Sequence, residues 1–304
     1  MKVLLTGAAG RLGQTMWQTL LDAGHEVRGT DVRYRPDLPG RLELADLTEE
    51  LAAYRLLEGC DAVAHVGNIP SLARSAQPQE VYRINTAMNI NVFQAAADMC
   101  VNNIAFTSSV QVLAGRRDSD DPDLPSMLPY LPADSDTPAR PGNSYALSKQ
   151  ASEEMLKHFA LLNEQGCYTA VRLPFLMESD VTRMLRWINR YGRKWGVSKL
   201  DEAFSFLTYE DGADLLRLAL EKPRPGYRQY FPSAREMRPG WTVADAIARF
   251  YPNVPLRQPA EQMTSLVDIT KITEDLGWEP AGTSVAVRQL TEAYEAAEAS
   301  DLSA

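Results

Sequence analysis

The sequence predicts an α/β fold: a doubly wound parallel sheet with helices on both faces, followed by a small, mostly helical C-terminal lobe. Three observations carry this. Apolar runs of strand length open the chain at Val3–Leu5 and return at residues 61–66 and 103–108. Segments with apolar residues at helical spacing lie between them, such as Leu12, Met16, Leu20 and Leu21. Gly7, Gly10 and Gly13 join the first strand to the first helix. Strands alternating with helices make a parallel sheet covered on both sides.

The glycine stretch is the most informative element. A strand, a glycine turn and a helix N-terminus make an anion site: backbone N–H groups point outwards, the helix dipole favours negative charge, and missing Cβ atoms let a pyrophosphate come close. A tight turn alone would also use glycines, but the strand before and the helix after supply the context of a dinucleotide fingerprint. Gly7, Gly10, Arg11, Leu12 and Gly13 are therefore candidate cofactor residues. Gly24 closes the first helix, and residues 25–31 read as the second strand, ending in Asp31. A carboxylate there accepts from the adenosine ribose hydroxyls and repels a 2′-phosphate, selecting NAD over NADP. Arg33, two residues on, could instead meet a 2′-phosphate.

Residues 42–47 read as a further short strand whose end, Asp46 and Leu47, either holds the adenine or caps the next helix, 51–57. Residues 61–66 follow as a strand. His65 near its end reads as packing or backbone support, while Val66, Gly67 and Asn68 lie where a chain passes the cofactor's phosphates or nicotinamide ribose. Residues 81–99 are apolar at helical spacing, and Asn85 inside them invites a polar role, since asparagine is unfavourable mid-helix. Residues 103–108 end in Ser108, with Ser109 beside it, at the carboxyl end of a strand where ligands of parallel sheets lie. Residues 116–141, rich in Asp and Pro, read as a long loop over the mouth of the site.

Asn143 or Ser144 then caps a helix on which Tyr145 and Lys149, four apart, share a face. A nearby ammonium favours the phenolate and lowers a tyrosine pKa from ~10, so the pair suits proton transfer. A serine hydroxyl at the strand end could steady the reacting oxygen.

With TGAAGRLG, Asp31, HVGN, Asn85, FTSSV and YALSK in this order, the chain resembles the extended short-chain dehydrogenases/reductases, the NAD-dependent epimerase/dehydratase group. The resemblance covers most of the chain. It implies a Rossmann-type fold with an NAD-binding domain over residues 1–175, and a C-terminal region, 176–304, that carries a substrate lobe interleaved with the end of the sheet. It implies that Ser109, Tyr145 and Lys149 form the catalytic set with Asn85 in support, Ser108 being the competing serine. Asn85, Tyr145, Lys149 and Pro174 would also touch the cofactor; Ser108, Ser109, Gln111, Tyr145, Arg172 and Arg183 would face substrate.

The segments LTYEDGADLL and DLGWEP also fit the family. The stretch after Arg172 departs from it: FLMES stands where nucleotide-sugar epimerases carry N-x-Y-G-P, and residues 175–207 are short. That layout resembles uronate and simple-sugar dehydrogenases. Arg172, Arg183, Arg186 and Arg190 would then bind a carboxylate or polyol, or the last three would form a solvated basic face. Helices are expected at 242–250, 270–276 and 284–297.

Taken together, the sequence points to NAD-dependent hydride transfer at a sugar or sugar acid. A sugar epimerase or dehydratase with bound NAD, and a dinucleotide sensor without catalysis, are the alternatives. The formal net charge of -9, from 40 acidic and 31 basic residues, argues against nucleic acid or an anionic membrane as partner. No apolar run is long enough for a bilayer, so no spanning helix is expected, and with Met1-Lys2 leading straight into a strand no signal peptide is expected either. Cys60, Cys100 and Cys167 lack metal-ligand spacing and read as reduced core or near-core thiols of a cytoplasmic protein. A small-molecule substrate is expected, no metal, and a homodimer is one assembly the reading allows.

Overall fold

The computed structural model describes residues 1–70, 77–114, 126–180, 202–237 and 241–301, with side chains through 292. The elements run β1 (Lys2–Thr6), α1 (Arg11–Asp22), β2 (Glu26–Asp31), β3 (Leu42–Leu44), α2 (Glu50–Leu57), β4 (Ala62–His65), α3 (Pro78–Asp98), β5 (Asn103–Ser109) and α4 (Ser144–Leu162). They continue with β6 (Cys167–Leu173), β7 (Phe175–Met177), β8 (Phe206–Thr208), α5 (Tyr209–Glu221), β9 (Gly226–Tyr230), α6 (Val243–Phe250), α7 (Thr270–Leu276) and α8 (Ala281–Asp301).

Seven strands form one parallel sheet in the order β3-β2-β1-β4-β5-β6-β9. The period of two in β1 sends Val3 and Leu5 to one face and Leu4 to the other, and each face has its own core. Met16, Trp17 and Leu20 of α1 and Leu216 and Leu220 of α5 cover the first. Leu56 and Leu57 of α2, Val92 and Phe93 of α3, and Leu156 and Phe159 of α4 cover the second. Chain order reverses between β1 and β4, so the loops after these strands part there and open a crevice at their carboxyl ends.

Two elements differ from the sequence reading. The strand at 42–47 stops at Leu44, because the Asp46 carboxylate turns to accept from the N–H and hydroxyl of Thr48. β9 carries Arg228 and Gln229 inside a five-residue edge strand, a pattern too polar to read as a strand from sequence. The cysteine expectation also needs correction. Cys60 is buried and Cys167 half-buried, but Cys100 is exposed, at φ 59°, where the chain reverses after α3.

The long loop is a strap where it is described. The Leu131 N–H donates to the Pro255 carbonyl and the Ala133 N–H to the Leu266 carbonyl, as in a parallel ladder. Ser135 accepts through its hydroxyl from the Phe231 N–H. The strap thus ties the end of β9 to the connection between α6 and α7; residues 116–125 of that loop lie outside the described residues. Among the described residues no helix is long and apolar enough to cross a membrane.

Candidate active site

The crevice is a cleft of about 960 Å³ lined by the glycine turn, the ends of β2, β4 and β5, and the start of α4. At its floor, Gly7 sits at φ +65°, and a Cβ there would lie 2.5 Å from the Cα of Gly67. A Cβ on Gly13 would lie 2.1 Å from the Gly7 carbonyl oxygen. The turn therefore needs glycine at both positions, because backbone packs on backbone. Gly10 caps α1 with no side chain, and the first intrahelical bond described is Gln14 N–H to the Gly10 carbonyl. The N–H groups of Arg11, Leu12 and Gly13 are thus left to water or an anion. Arg11, Arg33 and Arg83 also line the cleft, together with the carboxylates of Asp31, Asp46 and Glu202.

Asp31 ends β2 at the rim. Its carboxylate accepts from the N–H groups of Ala9, at 3.1 Å, and Arg33, at 3.0 Å, so it is held against the glycine turn. Asp46, Leu47, Val66, Gly67, Asn68 and Pro174 line the same cleft. Asn91 steadies the 46–48 turn by donating to the carbonyls of Leu47 and Thr48.

At the other end, Asn143 accepts from the Ala146 N–H and starts α4, which presents Tyr145 and then Lys149 to the cleft. The Lys149 ammonium lies 5.7 Å from the centre of the Tyr145 ring and 4.7 Å from that of Phe106. Burial pushes Lys149 down to about 7, with Glu153 pulling the other way. Ser109 accepts from the Gln111 N–H, which leaves its hydroxyl proton to be donated; Ser108 instead donates to Glu153 at 2.6 Å. Ser108, Ser109 and Gln111 all line the cleft, and the bond to Glu153 favours Ser109 as the serine that turns to a ligand.

Two expected site residues are placed elsewhere. Arg172 is a correction: it lies within β6, is buried, and spends its guanidinium on Glu153, at 2.8 and 2.9 Å, and on the Thr137 carbonyl, at 2.6 Å. It is not among the cleft-lining residues, and both of its charged contacts go to the Glu153 carboxylate, so its charge is already paired away from the cleft. Asn85 is likewise fully buried behind the cleft wall. It accepts from the Ile69 N–H and donates to the Ile69 carbonyl and to Ser148, so it holds the loop after β4 against α4, and it is not among the cleft-lining residues. Arg183, with Arg186 and Arg190, lies outside the described residues.

Several polar residues of the site were not singled out from sequence. Thr6, Asn89 and Glu153 are buried beneath it. The signal for Asn89 and Glu153 was available: each stands one helical turn after a residue that had been singled out, Asn85 and Lys149.

A parallel sheet with a glycine turn at its switch point, an acidic residue at the end of β2, and a Tyr/Lys pair lining the same cleft as a strand-end serine are together the features of a dinucleotide-binding α/β protein. The model of the NAD dependent epimerase/dehydratase family matches residues 3–230, and the chain belongs to that family. It is 29% identical over 161 residues to a uronate dehydrogenase of Pseudomonas syringae pv. tomato, covering 52% of this chain and 54% of that protein. The chain spans about half the length of the curated relatives it matches. Among solved structures it is similar to a UDP-galactose 4-epimerase, with TM-score 0.65, 20% identity, and 97% and 99% of the two chains covered. A short-chain dehydrogenase/reductase superfamily protein from Agrobacterium tumefaciens with bound NAD gives TM-score 0.65 at 18% identity over the full length of both chains. These two likenesses bear on the fold.

Proposed function

We propose that the chain is an NAD-dependent oxidoreductase acting on a secondary alcohol or hemiacetal of a sugar or sugar acid. The observation that carries this is that Tyr145, Lys149 and Ser109 line the same cleft as the glycine turn and Asp31. The residues fit NAD: the turn has no room for Cβ atoms, α1 has no side-chain cap, and Asp31 stands where ribose hydroxyls need an acceptor. When bound, NAD supplies the hydride acceptor. Tyr145 takes the proton from the substrate hydroxyl, Ser109 donates a hydrogen bond to the same oxygen, and Lys149 favours the phenolate electrostatically. In the reduction direction Tyr145 returns the proton. The C-terminal helices and the strap form the substrate lobe of this reading, and the three free thiols fit a cytoplasmic enzyme.

Sugar substrates rest on the likeness to a uronate dehydrogenase. The test is NADH production by the purified protein over a panel of uronates, neutral aldoses and sugar phosphates. Steady NADH with one class is the expected result. A UDP-hexose converted without net NADH would instead establish an epimerase, and binding of NAD with no turnover anywhere would establish a sensor.

A further inference from the structure

A buried polar chain runs from the glycine turn to Lys149, and its hydrogen-bond directions can be worked out. The Thr6 hydroxyl accepts from the N–H groups of Val66 and Gly67, so its own proton goes to Nδ1 of His65, 2.6 Å away. His65 Nδ1 is then the acceptor, and Nε2–H donates to Asn89 Oδ1 at 2.8 Å. Burial holds His65 neutral, pushing it down to about 3, in agreement with this order. Asn89 Oδ1 also accepts from Asn68 Nδ2, at 2.7 Å, which fixes the orientation of the Asn68 amide. Asn68 Oδ1 therefore faces Lys149 and accepts from its ammonium at 2.6 Å. The Thr107 carbonyl takes a second ammonium proton at 2.6 Å, leaving one N–H.

The geometry points to Asn68 as a positioning residue that acts through Lys149, setting where the ammonium sits and how readily it ionises. This rests on the reading of Lys149 as part of the hydride-transfer site. Among the described residues, the groups facing the ammonium are few. Glu153, one turn on along α4, is paired with Arg172; Tyr145 presents its ring from the same helix; His65 on β4 is neutral; Thr107 on β5 offers a carbonyl. Among the described residues Asn68 supplies the side-chain acceptor bonded to the ammonium, and it is uncharged. A neutral acceptor holds the cation without adding to its proton affinity as a carboxylate would, so Lys149 stays near the pH range in which Tyr145 must cycle.

The experiment follows Lys149 directly, by NMR of protein carrying lysine labelled with ¹³C at Cε, its resonance identified by loss in Lys149→Met. Asn68→Asp keeps the shape and adds a charge; the Lys149 midpoint should rise by at least about one pH unit, a tenfold gain in proton affinity. Asn68→Leu removes the acceptor and should lower the midpoint. Opposite shifts in the two variants support the proposal, because a merely structural asparagine would lower melting temperature without them. If Asn68→Asp leaves the midpoint unmoved, or both variants shift it the same way, the proposal is overturned. The titration needs no substrate, so it stands apart from the functional reading. Opposite shifts in a protein that makes no NADH sink the oxidoreductase alone; an active enzyme with unmoved Lys149 sinks this proposal alone.

Discussion

Tyr145 lies in the first turn of α4 and lines the cleft, and on the reading proposed above it is the group that moves the proton. Tyr145→Phe keeps the ring and removes the ionisable hydroxyl. Turnover should fall by about two orders of magnitude or more, a loss typical of a general base, while NAD affinity barely changes. Steady-state kinetics with a fluorescence titration of NAD checks both, and near-normal turnover would reassign the proton to another group. Asp31 carries the second prediction at this scale. Its carboxylate is fixed by the Ala9 and Arg33 N–H groups, so a 2′-phosphate would meet a charge that cannot swing away. NAD should bind more tightly than NADP, and Asp31→Ala with Arg33 kept should narrow the gap. Tighter NADP binding by the unmutated protein would contradict the assignment.

The turn between β1 and α1 works only because backbone meets backbone. A Cβ on Gly13 would stand 2.1 Å from the Gly7 carbonyl, so Gly13→Ala must displace the start of α1 or the turn itself. NAD affinity should drop by more than about tenfold, equivalent to about 1.4 kcal/mol, in a fluorescence titration. An unchanged Kd would mean that the helix N-terminus does not hold the pyrophosphate. β4 and α3 meet through His65, whose folded pKa of about 3 lies below its ordinary 6.5. The unfolded chain therefore binds the extra proton first. The contribution of neutral His65 is complete above pH 6.5 and is lost as pH falls towards 3, at about 1.4 kcal/mol per unit. Urea unfolding should show the parent losing about 2 kcal/mol more than His65→Gln between pH 7 and pH 5. Parallel losses in the two proteins would show that His65 is not the acid-sensitive group.

Across the whole molecule, Arg172 links three parts of the chain. It joins β6 to α4 through Glu153 and to the strap through Thr137, and Glu153 in turn takes the Ser108 proton. Removing one partner of such a pair leaves a buried charge uncompensated. Arg172→Met should cost about 3–5 kcal/mol in chemical denaturation, with KM for the substrate little changed in the folded fraction. A large rise in KM with stability intact would restore Arg172 to the substrate site. NAD itself should raise the melting temperature through preferential binding to the folded state. A UDP-hexose should not, if the segment after Pro174 lacks a nucleotide grip, and a clear rise would favour an epimerase.

The parallel sheet, the glycine turn, Asp31 and the Tyr145/Lys149 pair were legible in the sequence because each depends on local spacing: glycines three apart, a strand before a helix, two residues four apart on one helix face. Tertiary structure alone decided what long-range partners do to a side chain. Arg172 read as a substrate group until the fold buried it against Glu153, nineteen residues earlier. Asn85 read as a polar group in support of the site, and only the fold shows that its amide goes to Ile69 and Ser148. Asn68 became the holder of Lys149 only when α4 packed beside the end of β4, across a sequence separation of 81. The sequence determined which polar groups the chain contains and which elements carry them. Their partners were chosen by the packing of those elements, because a buried polar group bonds whatever acceptor or donor the fold brings within about 3 Å.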